Sequence, residues 1–151
     1  MYIATQFSIF MVNKPGVLAQ VLGEFAQAKI NIVAMTMMDS SEHGVMRIIF
    51  EAPRKAENLL KKLNMAYSRT EVLCVNITNK SGALAKIVTK LSHNHINISY
   101  AYCTAGAKGG RTTGVLKVAD VKKAMKILEP PAKKKTTKPK VQTRRHQPLR
   151  K

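Results

Sequence analysis

The sequence predicts an α+β protein built from two tandem βαββαβ units with antiparallel sheets, followed by a disordered basic C-terminal tail. The first observation behind this prediction is an internal repeat. Residues 12–32, VNKPGVLAQVLGEFAQAKINI, recur at an offset of 66 positions as residues 78–98, TNKSGALAKIVTKLSHNHINI. Eight of the twenty positions from 13 to 32 are identical, and the apolar positions keep register. Self-similarity of this kind indicates a repeated structural unit.

The second observation is a change of composition at Glu129-Pro130-Pro131. Residues 130–151 contain nine Lys/Arg and no acidic residue, and they carry half of the formal net charge of +18. A segment with so little to bury and so much like charge is typical of disorder. We therefore divide the chain into a first domain (1–70), a second domain (71–129) and the tail (130–151).

The elements of the first unit follow from the spacing of its apolar residues. Residues 7–12 are apolar on both alternating faces, which predicts a central strand. Asn13 to Gly16 break that strand, and the 3.6-residue period that starts at Leu18 predicts a helix to about residue 29. The remaining elements are a strand over 30–38, a turn at DSSEHG, a strand over 45–50, a helix over 52–63 that begins near Pro53, and a weaker strand near 65–70.

The second unit repeats this order with one exception. We expect a strand over 72–78, a helix over 83–93, a strand over 96–104, a hairpin turn at AGAKGG, a strand over 111–118 and a helix capped by Asp120. The last strand of the unit is then missing, or it is recruited from the first residues of the tail. Both faces of the strands containing INIVAMTMM and INISYAYC are largely apolar or small, so we expect the units to pack intimately and the protein to form a homodimer.

The repeated segments resemble the signature opening of an ACT domain, the small ferredoxin-like module that binds amino acids in metabolic regulators. The pattern is an Asn or Asp, a Pro-Gly, a Leu two residues on, and INI at the next strand; GVMRIIF and TEVLCVNITNKSGAL support it. The resemblance covers residues 1–128 and implies a tandem ACT protein that regulates without catalysis and binds a small-molecule amino acid. The target that responds to the ligand would be a separate regulated enzyme or a transcriptional system.

The residues themselves are compatible with a ligand site at the turn before each helix. A Gly there lets backbone N–H groups approach a carboxylate at a helix N-terminus, and an Asn can donate or accept a hydrogen bond without a net charge. The alternative is that the glycines only satisfy the turn and the asparagines only cap strands. The candidate ligand-binding residues are Asn13, Pro15, Gly16, Val17, Leu18, Asn31 and Ile32 in the first copy, and Asn79, Gly82, Ala83, Leu84 and Asn97 in the second. Ser81 replaces the usual Pro, so we expect the second copy to matter less.

No arrangement of residues indicates an enzyme, a metal site or a cofactor. The acidic residues are scattered, and His93 and His95 are spaced so that their rings point in different directions. Cys74 and Cys103 lie in apolar runs and are expected to be reduced core residues. No signal peptide or membrane span is predicted, which favours a cytoplasmic protein without membrane contact.

Nucleic-acid binding is the main alternative function. The same order of elements occurs in RNA-recognition modules, but the third strands here lack the aromatic residues on which bases stack. Tyr100 and Tyr102 share one strand face without comparable partners in the first copy. The tail could instead contact phosphates non-specifically, or it could be only a solubilising extension. Its candidate contact residues are Lys133, Lys134, Lys135, Lys138, Lys140, Arg144 and Arg145.

Overall fold

The computed structural model describes residues 1–38, 43–104 and 111–129, and it contains six strands and four helices within them. In chain order these are β1 (Tyr2–Val12), α1 (Val17–Gln27), β2 (Ile32–Met38), β3 (His43–Phe50), α2 (Pro53–Lys62), β4 (Tyr67–Thr78), α3 (Ala83–His93), β5 (Ile98–Thr104), β6 (Arg111–Val118) and α4 (Val121–Leu128). Of the predicted turn at 39–44, residues 39–42 lie outside the described residues, whereas His43 and Gly44 belong to β3. The predicted turn at 105–110 and the predicted tail at 130–151 also lie outside the described residues.

All six strands form one antiparallel sheet in the order β2-β3-β1-β4-β6-β5. Each half of the sheet is a βαββ arrangement with helices across it, so the predicted α+β class is confirmed. At the centre, Thr5 of β1 pairs with Glu71 of β4, and these two residues are separated by the repeat offset of 66. A pseudo-twofold axis therefore passes through the sheet beside this pair and relates the two repeats.

The two central strands are longer than the sequence pattern predicted. β1 begins at Tyr2 rather than at residue 7. β4 joins the strands predicted near 65–70 and over 72–78 into a single strand that crosses position 70 without a break. No Gly, Pro or Asn interrupts the segment from Tyr67 to Val75, so the chain has no local reason to turn there.

The last strand that the second unit lacks is supplied by the first unit. Among the described residues, the place beside β4 that this strand would occupy is taken by the start of β1, where Tyr2 pairs with Cys74 and Ile3 with Leu73. Of the two predicted alternatives, a missing strand or one recruited from the tail, the described residues agree with the first, because no strand follows α4 within them. The symmetric pairing occurs at the start of β4, where Tyr67 pairs with Ile9 in the sheet of the first repeat. The two central strands thus each contribute a segment to the other half of the sheet.

The four helices cover one face of the sheet and bury two separate apolar cores. In the first repeat, Phe7 and Ile9 of β1 pack with Phe25 of α1 and Leu60 of α2. In the second repeat, Leu73 and Val75 of β4 pack with Leu91 of α3 and Ala124 of α4. Burial of side chains of this size contributes about 1.5–3 kcal/mol each, which is what fixes the helices on this face.

The helix-free face of the sheet curls so that the outermost strands, β2 and β5, approach each other. Five small and medium apolar side chains from four strands form a third core inside the curl: Ala34, Ile49, Val72, Cys74 and Val115. The close packing of the two units that the sequence predicted is in part this contact between the two halves of the same sheet.

A buried glutamine completes this inner core. Gln6 of β1 is fully buried; its Nε2 donates to the Tyr100 hydroxyl at 2.7 Å, and its Oε1 accepts from the Tyr102 hydroxyl at 3.1 Å. The guanidinium of Arg47 lies 3.8 Å from the centroid of the Tyr100 ring. Burial raises the pKa of Tyr102, with a further contribution from Tyr100, so the phenol stays a hydrogen-bond donor at physiological pH.

Two further expectations can be compared with the described residues. Both cysteines are free thiols; Cys74 is buried as predicted, but Cys103 is exposed because its strand is at the edge of the sheet. No helix in the described ranges is long and apolar enough to cross a membrane.

Candidate functional site

The two strand-to-helix loops have the same backbone geometry. In the first, Gly16 has φ +88°, and the N–H of Val17 donates to the carbonyl of Lys14 at 3.3 Å. In the second, Gly82 has φ +78°, and the N–H of Ala83 donates to the carbonyl of Lys80 at 3.1 Å. The replacement of Pro15 by Ser81 leaves this turn intact, because a left-handed Gly and one backbone hydrogen bond define it.

Each loop presents the N-terminus of a helix that no side chain caps. The first N–H groups of an α-helix have no partner within the helix, and they carry a partial positive charge that attracts anions. Neither first turn contains an acidic residue that would compete for them. A Cβ built on Gly16 or Gly82 would meet no heavy atom within 4 Å, so the space in front of both loops is open.

At the second loop this space is a depression of about 330 Å³. Its lining consists of the end of β4, the loop and the first turns of α3: Asn76, Ile77, Thr78, Lys80, Ser81, Ala83, Lys86 and Ile87. Two ammonium groups therefore stand beside an uncapped helix N-terminus, and the lining contains no carboxylate. The chemistry of this depression favours an anionic group such as a carboxylate.

The first loop has a different chemical character. At the offset of 66, the positions of Asn76, Ser81 and Lys86 are occupied by Phe10, Pro15 and Gln20. Phe10 is 46% exposed, so this loop presents an apolar surface. Of the two loops, the second is thus the better anion site, whereas the sequence pattern had favoured the first.

Two of the four candidate asparagines, Asn31 and Asn97, lie away from the loops of their own repeats. Asn31 follows α1, whose eleven residues span about 16 Å and separate it from Gly16 at the opposite end. Its Nδ2 donates to Glu51 Oε2 at 3.0 Å, beside a depression of about 550 Å³ that Glu51 lines with Tyr2 and Thr5. Asn97 has the equivalent place after α3 and is exposed.

The other candidate residues lie where the loop geometry places them. Asn13, Pro15, Gly16, Asn79 and Gly82 are exposed. Val17 and Ala83 are the first residues of α1 and α3, and both are half-buried. Leu18 packs on the first core, whereas its counterpart Leu84 is 39% exposed. Ile32 begins β2 and is 41% exposed. The basic residues proposed for the tail, from Lys133 to Arg145, lie outside the described residues.

The pattern of identical residues missed the charged part of the site. Lys86 and Asn76 were not predicted, because they are positions at which the two repeats differ. A comparison of those differences would have indicated them, since Gln20 and Phe10 change to a cation and an amide on the same side of one loop. In the described ranges no cluster of His, Cys, Asp or Glu could hold a metal ion.

Two βαββ halves that share one antiparallel sheet, with helices on one face and an uncapped helix N-terminus after the first strand of each half, define a tandem α+β module. Residues 1–130 match the family model described as an ACT domain pair, and the chain belongs to this family. The predicted resemblance is therefore confirmed. No curated protein matches the chain at a significant level.

Solved structures agree with this assignment. The protein BT0572 from Bacteroides thetaiotaomicron is 32% identical, with a TM-score of 0.78 over 83% of this chain and 86% of that chain. The ligand-free regulatory subunit of aspartate kinase from Thermus thermophilus is 11% identical, with a TM-score of 0.59 over 84% of this chain and 95% of that chain. The second likeness concerns the fold alone.

Proposed function

We propose that this ACT domain pair is a non-catalytic sensor that binds an amino acid at its strand-to-helix loops and passes the signal to a separate enzyme. The observation that carries the proposal is the uncapped N-terminus of α3 beside Lys80 and Lys86, in an open depression. The α-carboxylate would accept hydrogen bonds from the backbone N–H groups of Leu84 and Ala85, because the Ala83 N–H already donates to the Lys80 carbonyl. The Asn76 amide and the Ser81 hydroxyl can accept hydrogen bonds from the α-ammonium group.

The relatives support a regulatory role. The fold recurs in a chain described as the regulatory subunit of aspartate kinase. A regulator of this kind would act by binding more tightly to one state of its partner than to the other.

The test is a thermal-shift screen of the twenty amino acids on the full chain. A ligand that binds only the folded form stabilises it by about 2.7 kcal/mol at a hundred times its dissociation constant, which raises Tm measurably. Gly82→Val should abolish the ligand-induced shift, since a side chain at φ +78° is strained and would fill the space in front of the loop. Lys86→Gln should weaken it.

Matched variants separate the two loops. Gly16→Val makes the same backbone change in the first repeat, and Asn31→Ala removes the side chain bonded to Glu51. The second-loop site requires Gly82→Val to lower the shift more than Gly16→Val does. Lys90→Ala changes an exposed residue farther along α3 and should leave the shift intact. If no amino acid at millimolar concentration raises Tm of the unmodified protein, the sensor proposal fails.

We further propose that the protein forms a homodimer through the edge strand β2. This strand has a free edge, and it exposes Ile32, Met35, Met37 and Met38 by 38–46% each. A free edge with a row of exposed apolar side chains is an unusual surface for a monomer. Met37→Lys should shift sedimentation towards the monomer, whereas Cys103→Lys, at the equivalent position of β5, should not. Monomeric unmodified protein at tens of micromolar concentration would rule the dimer out.

A further inference from the structure

A second surface of the molecule, on the helix layer of the second repeat, is strongly cationic. Helices α3 and α4 pack against each other on one face of the sheet. Their lysines are all exposed: Lys86, Lys90, Lys122, Lys123 and Lys126. Neither helix contains an acidic residue. We call these two helices and their five lysines the α3–α4 face.

The corresponding helices of the first repeat are partly neutralised. α1 contains Glu24 and no Lys or Arg. In α2 the Glu57 carboxylate lies 3.3 Å from Lys61 Nζ and 3.0 Å from Arg69 Nη1. The Tyr67 hydroxyl donates to the same carboxylate, and this hydrogen bond, with the two cations, holds the pKa of Glu57 below its usual range. Both ion pairs of the described part of the chain end on Glu57.

The positive charge of the α3–α4 face is therefore compensated only in small part by the protein itself. Two acids flank α4, Asp120 and Glu129, and neither takes part in an ion pair among the described residues. Asp120 is engaged at the start of α4, where its Oδ1 accepts a hydrogen bond from the Lys123 backbone N–H at 2.8 Å. Lys86 and Lys90, like Lys122 and Lys126, are one helical turn apart, about 6 Å along the axis. Rows of ammonium groups on a rigid element suit a partner with regularly repeated negative charges.

The chain that follows α4 extends this charge. Residues 130–151 add nine Lys/Arg and no acid, and they contain no aromatic residue. Their large aliphatic residues are Val141 and Leu149 alone, which is little material for insertion into a lipid bilayer. Lys acts on phosphate as a point charge and does not require base contacts. Phosphates of a nucleic acid, rather than a membrane, are the partner that this composition favours.

We propose that the α3–α4 face binds the phosphate backbone of double-stranded nucleic acid without sequence selectivity. Each phosphate contact contributes to the salt dependence, because it releases condensed counterions from the duplex. The proposal concerns a surface separate from the loop site, except that Lys86 lies near both. The variants below therefore leave Lys86 unchanged.

The test measures binding of the full chain to a short fluorescent duplex by anisotropy over a series of salt concentrations. One variant carries Lys90→Gln, Lys123→Gln and Lys126→Gln. A matched control removes the same charge from the first repeat through Arg54→Gln, Lys55→Gln and Lys62→Gln, all exposed on α2. Equal Tm values of the three proteins would show that each is folded.

The two variants should differ in salt dependence. Each lost phosphate contact makes the slope of log K against log salt shallower by about 0.9. The slope of the α3–α4 variant, which lacks three lysines, should therefore be shallower by about 2 to 3 than that of the unmodified chain. The α2 variant should lose less than half as much. An equal change of slope in both variants, or no change in the α3–α4 variant, would overturn the assignment of binding to the α3–α4 face.

The partner class is tested separately. Leu84 and Val88 on α3 are 39% and 38% exposed, so vesicles containing an anionic lipid are the necessary comparison. The unmodified chain should bind the duplex more tightly than such vesicles at the same salt concentration. Tighter binding to the vesicles would overturn the assignment to nucleic acid.

Discussion

Replacing Tyr102 with Phe should loosen the contact that holds the curled sheet closed. The Tyr102 hydroxyl on β5 donates to Gln6 Oε1 on β1, and two strands, β4 and β6, lie between them in the sheet. Gln6 is fully buried, and its amide also donates to Tyr100. The hydrogen bonds therefore span the helix-free face and join the two repeats.

The size of the effect follows from the burial of Gln6. The substitution removes a donor and leaves Gln6 Oε1 without that partner in a buried position, which costs about 1–3 kcal/mol. In a chain of this length each kcal/mol lowers Tm by about 2–4 °C. In a Gln6→Leu background the buried amide is gone, so Tyr102→Phe should there cost less than half as much.

The assay is a double-mutant cycle by denaturant unfolding of the unmodified protein, the two single variants and the double variant. We expect a coupling free energy of about 1 kcal/mol between Gln6 and Tyr102, a size typical of residues in direct contact. Additive losses, equal within about 0.5 kcal/mol, would refute the view that this hydrogen bond stabilises the curl.

Three further predictions concern stability. Gly114→Ala places a Cβ 2.6 Å from Ile77 Cδ1, so it should lower the free energy of unfolding, measured with denaturant, by about 1 kcal/mol. Ile77→Val removes the Cδ1 atom and should restore at least half of this loss, whereas a Gly114→Ala protein of full stability would contradict the prediction. Ile3→Ala should cost about 1–2 kcal/mol, because Ile3 is half-buried against the second core, and hydrogen exchange should show the loss of protection at Leu73 in the second repeat rather than within the first. Glu57→Gln should lower stability at neutral pH, because the pKa of Glu57 is lowered in the folded state. The difference in free energy of unfolding from the unmodified protein should be full above the ordinary glutamate pKa of about 4.3, and it should shrink as the pH falls below that value. A pH-independent difference would show that the charge of Glu57 is irrelevant.

Local patterns were sufficient for most of the fold. The helix starting after Gly16 and its copy after Gly82 follow from the apolar period and from a turn that needs a left-handed residue. The Asp120 cap was also predicted from residue type and position, and its side chain accepts the hydrogen bond from Lys123. These features depend on residues that are close in sequence.

Features that depend on distant pairing were not predictable in the same way. The residue pattern at the start of β1 does not distinguish a strand from a loop. This segment is a strand because Ile3 pairs with Leu73 of β4 in the sheet. Cys103 has apolar neighbours in the sequence, as a core residue would, but it lies on an edge strand and is exposed among the described residues.

The candidate site was predictable only in part, for a related reason. Identical residues between the repeats indicate what both turns need, which is a Gly and a helix start. They say nothing about Lys86, which distinguishes the second loop from the first. The asparagines at 31 and 97 recur with equal regularity, yet an entire helix separates each from its loop.

The exchange of strand segments between the repeats has a consequence for the order in which the chain can fold. Ile3 is synthesised 70 positions before Leu73, the residue that it pairs with. Closing a loop of that length costs conformational entropy before the stabilising contacts form, so such non-local pairings slow folding. During synthesis the start of β1 therefore stays unpaired with β4 while the loops and helices of the first repeat form. The sheet is completed only when the start of the second repeat has emerged and aligned beside it.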